Sequence, residues 1–313
     1  MKYKAEDGIS IEVKQVPKGR GHAYKVIIND IGQDINETVG PFTTELPSVT
    51  TILRQSDGSA VDPISRWSVN QALDYISTES THGEYATKII TNDVLSDAKK
   101  APMVELKKAG DRGTALHKAM EIFFAKVEDE YLNDPNVNNA RVVAIQEYLS
   151  SQGFDGKSRS SALECLLNIE KWIYNLGYKV VATELPVYDK NLQVAGTIDM
   201  LLSNNKDTVY VCDLKTGKNI YKKDGMQVGA YLSAVVNMLG DGLHLWEPFP
   251  NELPIGDRIT SLNVGGAVIH MDVAKEIVKI HHINDEMIGN VGFMSAKKLY
   301  DMNKKSKFQV EKL

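Results

Sequence analysis

The chain has 313 residues and a formal net charge of −5, so it lacks the bulk positive charge of proteins that coat nucleic acid. It contains no run of about 18 apolar residues, and the sequence therefore predicts no membrane-spanning helix. Its two cysteines, Cys165 and Cys212, are too few for a disulfide framework, a four-thiolate zinc site or a cysteine-ligated iron–sulfur cluster, and we expect a disulfide-free, cytoplasmic protein.

The first predicted element is a β-hairpin. Apolar and polar residues alternate over 9–16 and again over 22–28, and the segment 17–21 between them is rich in Gly and Pro. Helical periodicity follows Asp62-Pro63, where an N-cap residue precedes a proline suited to the first helical position. Two further helical stretches are predicted, over 101–130 and 158–177.

After Gly177 the sequence period changes from that of helices to that of strands. Three β-rich runs joined by short turns predict an antiparallel meander, with strands over 178–188, 192–203 and 207–215. The remaining predicted elements are a helix over 224–239, a strand near 267–271 and C-terminal helices over 272–305.

This succession of elements predicts an α/β fold with a helical N-terminal elaboration. We divide the chain into an N-terminal β-hairpin and loop (1–45), a helical arm (46–177) and a core with C-terminal helices (178–313). The arm and the core are expected to form one compact catalytic unit.

Acidic residues and a lysine are expected to meet at one edge of the meander. Asp213 and Lys215 end the third strand, where a period of two places both side chains on one face. A hairpin can bring Asp199 alongside Asp213, and Glu184 lies on the strand before Asp199. Neighbouring carboxylates repel each other unless a cation lies between them, and their oxygens suit Mg²⁺ or Mn²⁺. Because a lysine can also orient water and stabilise charge on a phosphate, this set predicts metal-assisted phosphodiester hydrolysis.

The Asp-x-Lys pattern alone has little value, because a surface ion pair at a strand end explains most such matches. The pattern occurs at Asp97, Asp155 and Asp213. Asp97 lies in helical sequence, where residues two positions apart diverge, and Asp155 lies in a predicted turn. Asp213 is distinguished by the apolar strand before it, by the upstream Gly-x-x-Asp and by the helix that follows.

Several motifs occur in the order found in PD-(D/E)XK nucleases. They are Gly113-Thr114-Ala115-Leu116-His117, Glu184, Gly196-x-x-Asp199, Asp213-x-Lys215-Thr216-Gly217-Lys218 and Gln227-x-x-x-Tyr231. The chain resembles the RecB-type exonuclease branch of this superfamily. The segment 46–53, followed by Trp67, is similar to mitochondrial genome maintenance exonucleases and their phage relatives.

The resemblance implies a restriction-endonuclease-like core, in which helices flank a mixed sheet that contains the meander. It implies Asp199 and Asp213 as metal ligands, with Lys215 as the catalytic lysine. Glu184 would be an accessory catalytic acid and His117 a further metal ligand, although helix context alone is more typical of a hydrogen-bonded or surface histidine. Mg²⁺ or Mn²⁺ is the expected cofactor, and no iron–sulfur cluster is expected.

The residues expected to contact DNA are Gln227, Tyr231, Thr216, Lys218, Ser48, Thr50 and Trp67. Gln227 and Tyr231 lie one helical turn apart and would face the catalytic edge. Other roles stay open for three of the residues. Tyr231 could pack in the core, Trp67 could anchor a helix rather than stack on bases, and Ser48 could be an ordinary N-cap.

The sequence thus predicts a Mg²⁺- or Mn²⁺-dependent exonuclease whose partner is DNA, either single-stranded or with a free end. The resemblance, and not the composition, supplies both the DNA and the exonuclease activity. A structure-specific endonuclease of the same fold and a non-catalytic DNA-binding module are the alternatives, and the intact Asp199, Asp213 and Lys215 argue against the module. The chain has no Gly-x-x-x-x-Gly-Lys-Ser/Thr loop, which argues against a nucleotide-binding phosphotransferase.

Overall fold

The structure is a computed structural model that describes residues 1–4, 10–18, 21–29, 42–56, 61–79, 81–82, 88–125, 135–204, 208–241, 243, 245, 263–283 and 291–305. Within these residues the chain is a mixed α/β protein with seven helices and three sheets. It divides into two compact units, a larger one of Met1–Ser56 and His117–Leu313 and a smaller one of Asp57–Leu116. None of the described helices has the length and apolar character required to cross a membrane.

The first sheet of the larger unit is antiparallel, with its strands in chain order. The strands are β1 (Lys2–Lys4), β2 (Ser10–Lys18), β3 (Gly21–Asn29) and β4 (Phe42–Pro47). The predicted hairpin is present, because β2 and β3 pair along their whole length. The alternating apolar residues Val13, Tyr24 and Val26 are buried in a core that this sheet shares with the second sheet of the unit.

Helix α1 (Val49–Ser56) follows β4 directly. The smaller unit contains α2 (Val61–Glu79), the short strands β5 (Thr81–His82) and β6 (Lys88–Ile89), and most of α3, which covers Asn92–Phe123.

Two further helices precede the second sheet. They are α4 (Pro135–Ser151) and α5 (Gly156–Asn175). Just after α5, Gly177 adopts a φ of 71°, the left-handed conformation expected of a glycine that stops a helix. Helix α4 is absent from the predicted elements. Among its described residues only Ile145 and Leu149 are fully buried, which gives a weak periodic signal.

The second sheet contains five strands in the order β11-β10-β9-β8-β7. They are β7 (Lys179–Asp189), β8 (Val194–Ser203), β9 (Thr208–Lys215), β10 (Asn263–Asp272) and β11 (Ile277–His282). Strands β7, β8 and β9 are joined by antiparallel pairing. Strands β9 and β10 are parallel, and the long connection that parallel neighbours require contains helix α6 (Lys222–Gly240), whose buried face packs on the sheet.

The prediction of helices throughout 272–305 is wrong in its first part. Residues Ile277–His282 form strand β11, which pairs antiparallel with β10, and the described helix α7 covers Val291–Lys305. The β-branched residues at positions 277, 278 and 280 favour extended backbone. A turn ending at Glu276, whose φ is 58°, reverses the chain so that this segment can pair at the sheet edge.

Candidate active site

Two buried carboxylates lie where the pairing between β8 and β9 ends. The last paired residues are Met200 and Cys212, and the next residues along the two strands are Asp199 and Asp213. Asp199 Oδ2 accepts a hydrogen bond from the Leu214 N–H at 2.7 Å, so a side chain supplies the acceptor where the strand pairing stops. Asp199 and Asp213 are only 8% and 1% exposed, and buried charges of this kind require a counter-charge or hydrogen-bond donors.

Asp213 is held by two side chains. Its Oδ1 accepts a hydrogen bond from Gln227 Nε2 at 2.8 Å, and its Oδ2 forms an ion pair with the Lys215 ammonium group. Lys215 Nζ also donates to Gln227 Oε1 at 3.3 Å. One amide on helix α6 therefore orients both the carboxylate and the ammonium group.

Tyr231 orients Gln227 in turn, and it lies against a glycine of β8. Gln227 Nε2 is 3.1 Å from the Tyr231 hydroxyl, one helical turn away, as the predicted spacing requires. A Cβ at position 196 would lie 2.3 Å from a ring carbon of Tyr231, closer than any real contact. Gly196 is therefore needed in the Gly-x-x-Asp motif, because it leaves room for the ring that positions Gln227.

His117, Glu184 and Asp199 form a cluster that could hold a metal ion. One potential ligand atom from each residue lies within 4.8 Å of the others, and His117 Nδ1 is 3.3 Å from Asp199 Oδ1. The antiparallel register of β7 and β8, with the flanking pairs Thr183–Met200 and Leu185–Ile198, places Glu184 opposite Asp199. Two carboxylates and an imidazole suit a divalent cation such as Mg²⁺ or Mn²⁺.

The backbone at Glu184 is unusual for a strand. Its φ of 48° lies in the left-handed region, which non-glycine residues rarely adopt. A residue keeps such a conformation only when the surrounding structure imposes it, and strained residues of this kind concentrate at functional sites.

The electrostatics of the cluster favour a bound cation. Burial, followed by the negative charge of Asp199, raises the pKa of Glu184 to about 7. Burial also raises the pKa of Asp213, an effect that the Lys215 ammonium group partly offsets. Burial lowers the pKa of His117, but the Asp199 and Asp213 carboxylates together raise it above its ordinary value. A divalent ion would relieve the repulsion between the carboxylates, so this donor set fits the metal predicted from the sequence.

The predicted catalytic residues thus lie together in two connected groups. Glu184, Asp199 and His117 make up the cluster of potential ligands, while Asp213 contacts Lys215 and Gln227. Asp213 as a metal ligand stays a prediction.

The other residues expected to contact DNA differ in element and in exposure. Ser48 is buried and caps α1, because its hydroxyl accepts the Thr51 N–H at 3.1 Å. Thr50 is exposed, and Thr216 and Lys218 follow β9, with Lys218 exposed. Trp67 is half-buried on α2 in the smaller unit.

The other two Asp-x-Lys motifs have ordinary structural roles. Asp97 forms an exposed ion pair with Lys100 on helix α3 at 3.0 Å. Asp155 Oδ1 accepts the Ser158 N–H at 2.7 Å and caps helix α5. These contacts are consistent with the choice of the Asp213 motif, rather than the motifs at Asp97 and Asp155, as the candidate catalytic one.

Two tyrosines of the first sheet, which no sequence motif indicates, contact the strands that carry Glu184 and Asp199. The Tyr24 hydroxyl lies 2.8 Å from Thr197 Oγ1, and the Tyr3 hydroxyl donates to the Pro186 carbonyl. Pro186 and Thr197 are paired across β7 and β8, two residues from Glu184 and Asp199 respectively. Both tyrosines are buried, so the first sheet holds these two strands next to the acidic cluster.

Replacing Tyr24 by Phe is expected to weaken Mn²⁺ binding by the folded protein. The change removes only the hydroxyl that holds Thr197, two residues from Asp199, and should lower the free energy of unfolding by about 1 kcal/mol. Tyr188→Phe is a matched control, because Tyr188 is also buried in the shared core. Calorimetric titration with Mn²⁺ compares the metal affinities of the two variants and so distinguishes misplacement of Asp199 from a simple loss of stability. Equal Mn²⁺ affinities in both variants would mean that the Tyr24 hydroxyl stabilises the fold without positioning Asp199.

Comparison with known proteins identifies the family. The family model of the PD-(D/E)XK nuclease superfamily matches residues 92–261, and no curated protein matches the chain. Among solved structures, the crystal structure of SSO0001 shares 12% sequence identity with this chain, and the match covers 60% of this chain and 85% of that one. Its TM-score is 0.24, which indicates only a weak structural similarity. The region that the family model matches exceeds half of the chain and contains the buried acids, the lysine and the glutamine described above, and the protein therefore belongs to the PD-(D/E)XK nuclease superfamily.

Proposed function

We propose that this protein is a Mg²⁺- or Mn²⁺-dependent exonuclease that hydrolyses phosphodiester bonds in single-stranded DNA or at DNA ends. The observation that carries the proposal is the cluster of His117, Glu184 and Asp199, which lies beside the ion pair of Asp213 and Lys215. Metal-ligating groups next to a fixed cation are what the hydrolysis of a charged phosphodiester requires.

The roles of the residues follow from their charges. A bound divalent cation would neutralise charge on the phosphate and lower the pKa of a water molecule. The ligands would be His117, Glu184 and Asp199, with Asp213 as a further ligand from β9.

Lys215 is suited to stabilising negative charge. Burial lowers the pKa of its ammonium group, but the adjacent Asp213 and Asp199 carboxylates raise it by more, so the pKa lies above its ordinary value. Lys215 therefore stays a cation at neutral pH and can stabilise the charge that develops on the phosphate oxygens. Gln227 keeps this cation in place, since its amide contacts both Lys215 and Asp213.

The choice of an exonuclease rests on the resemblance to the RecB-type branch and to mitochondrial genome maintenance exonucleases. The same resemblance supports DNA contacts by the exposed Thr50 and Lys218 and by Thr216 and Trp67. Of the other residues that it implies, Gln227, Tyr231 and Ser48 are buried and form hydrogen bonds within the fold. The resemblance also supports a role in DNA replication, recombination or repair. The proposed location is the cytoplasm of a bacterial or phage-infected cell. The division of the chain after residues 45 and 177 stays part of this proposal.

Digestion of matched linear and circular single-stranded DNA tests the proposal. With Mg²⁺ or Mn²⁺ present, we expect the linear form to be consumed and the covalently closed circle to resist, because an exonuclease requires a free end. Substrates labelled at the 5′ or the 3′ end report the polarity. Rapid cutting of the circle would favour the endonuclease, and metal-independent binding without cleavage would favour the non-catalytic module.

Replacing His117 by Ala is expected to weaken Mn²⁺ binding and Mn²⁺-supported cleavage, with only partial rescue at high Mn²⁺ concentration. An imidazole ligates metal only when it is neutral, so Mn²⁺ affinity of the wild type should fall as the pH is lowered, and this dependence should be shallower in the variant. Calorimetric Mn²⁺ titrations at two pH values measure both effects. His282→Ala is the control, since His282 is exposed and contacts Tyr210 instead of the acidic cluster. Superimposable titrations of wild type and His117→Ala would remove His117 from the ligand set.

A further inference from the structure

Basic side chains continue from Lys215 across the next two strands of the second sheet. In the parallel pairing of β9 with β10, His270 lies beside Lys215, and in the antiparallel pairing of β10 with β11, Lys279 lies beside His270. Paired residues on neighbouring strands, which are about 4.8 Å apart, project to the same face of the sheet. Lys215, His270 and Lys279 therefore form a row on the face that also carries Asp213.

Two contacts add further basic residues to this row. His270 Nε2 donates to the Gly217 carbonyl at 2.7 Å, which holds the segment after β9 against β10 and places Lys218 nearby. The rings of His270 and His281 are 6.2 Å apart. We refer to Lys218, His270, Lys279 and His281 as the basic strip.

The basic strip is accessible to solvent, and among the described residues no acidic side chain pairs with its two lysines. Lys218, Lys279 and His281 are exposed. Within the part of the chain that the structure describes, neither Lys218 nor Lys279 forms an ion pair. The carboxylate of Asp272, at the end of β10, is paired with Lys275.

We propose that the basic strip binds the phosphates of the DNA strand next to the bond that is cleaved, a proposal that rests on the proposed function. The scissile phosphate must lie beside Lys215 and the metal ligands, and the acids on β7 and β8 would be engaged in holding the metal ion. On the opposite side of Lys215, the basic strip offers two lysines, Lys218 after β9 and Lys279 on β11, and two histidines, whose neutral rings can also donate hydrogen bonds to phosphate oxygens. The strand therefore runs from the metal site across β10 towards β11.

Salt-dependent binding of a short, fluorescently labelled single-stranded oligonucleotide tests this path. The background is the full chain carrying Asp213→Asn with Mg²⁺ present, so that binding is measured without cleavage. Lys279→Ala should weaken binding several-fold and reduce the slope of log affinity against log salt by about 0.7, the value for one phosphate contact on a single strand. Lys279→Arg should restore both quantities because it keeps the charge. Lys171→Ala, which removes an exposed lysine of helix α5, is the matched control and should change neither.

The outcomes distinguish a failure of the proposed DNA path from a failure of the proposed nuclease function. If Lys279→Ala and Lys171→Ala bind the oligonucleotide with equal affinity and equal salt slope, the proposed path is wrong, even when the wild type cleaves DNA. If the wild type fails to cleave with either metal, the proposed function is wrong, whatever the binding data show. Since Lys279 is exposed, Lys279→Ala should fold normally, and an unchanged unfolding temperature verifies this.

Discussion

Replacing Asp213 by Asn is expected to reduce the rate of DNA cleavage on the order of 10³-fold or more, about 4 kcal/mol of transition-state stabilisation. Asn preserves the volume of the side chain but removes the negative charge that Lys215 neutralises and that a metal ion would use. The metal-free variant should unfold at no lower temperature than the wild type, because burial makes the ionised Asp213 costly and raises its pKa. Cleavage rates at saturating Mg²⁺ and thermal unfolding without metal measure the two effects.

Asp189→Asn is the control for this change, because Asp189 is also a fully buried acid of the larger unit. Its carboxylate accepts hydrogen bonds from four donors, the N–H groups of Asn191 and Leu192 and the side chains of Ser233 and Asn237. An amide cannot accept from all four, so the free energy of unfolding should fall by about 3 kcal/mol while the folded fraction cleaves DNA normally. If Asp213→Asn instead keeps a near-wild-type cleavage rate in a folded protein, the assignment of the site is wrong.

Much of the candidate site could be predicted because its signals are local in the sequence. Asp213 and Lys215 lie two residues apart on a strand, and Gln227 and Tyr231 lie four residues apart on a helix, so each pair shares a face by geometry alone. The hairpin between β2 and β3 was predictable for the same reason, since its two strands are adjacent in the sequence.

The parts that could not be predicted depend on contacts between distant segments. Tyr24 and Thr197 are 173 residues apart, and no local pattern indicates that their hydroxyls meet. The left-handed backbone at Glu184 is imposed by its surroundings, because glutamate has no intrinsic preference for it. Strand β11 was mistaken for helix because its pairing with β10, a tertiary interaction, decides between two conformations that a short apolar run allows.

Replacing Gly196 by Ala is expected to lower the cleavage rate strongly, although the added methyl group contacts no metal ligand. The new Cβ would lie 2.3 Å from a ring carbon of Tyr231, and this ring is buried between helix α6 and the sheet, so it can move only by displacing its neighbours. Such overpacking costs about 1–3 kcal/mol of stability. The displaced hydroxyl would also release Gln227, and with it the amide that orients Lys215 and Asp213.

A double-mutant cycle shows whether the clash with Tyr231 is the cause. Tyr231→Leu removes the ring and should itself lower the cleavage rate, because Gln227 loses its hydrogen-bond partner. In a protein that already carries Tyr231→Leu, Gly196→Ala should lower the cleavage rate little further. Gly156→Ala is the control substitution, since a Cβ there meets its nearest atom at an ordinary 3.9 Å, and it should leave cleavage unchanged. Additive losses from Gly196→Ala and Tyr231→Leu would mean that the glycine acts through the backbone of β8. A strong coupling between them would mean that Gly196 positions Lys215 through two side chains, Tyr231 and Gln227.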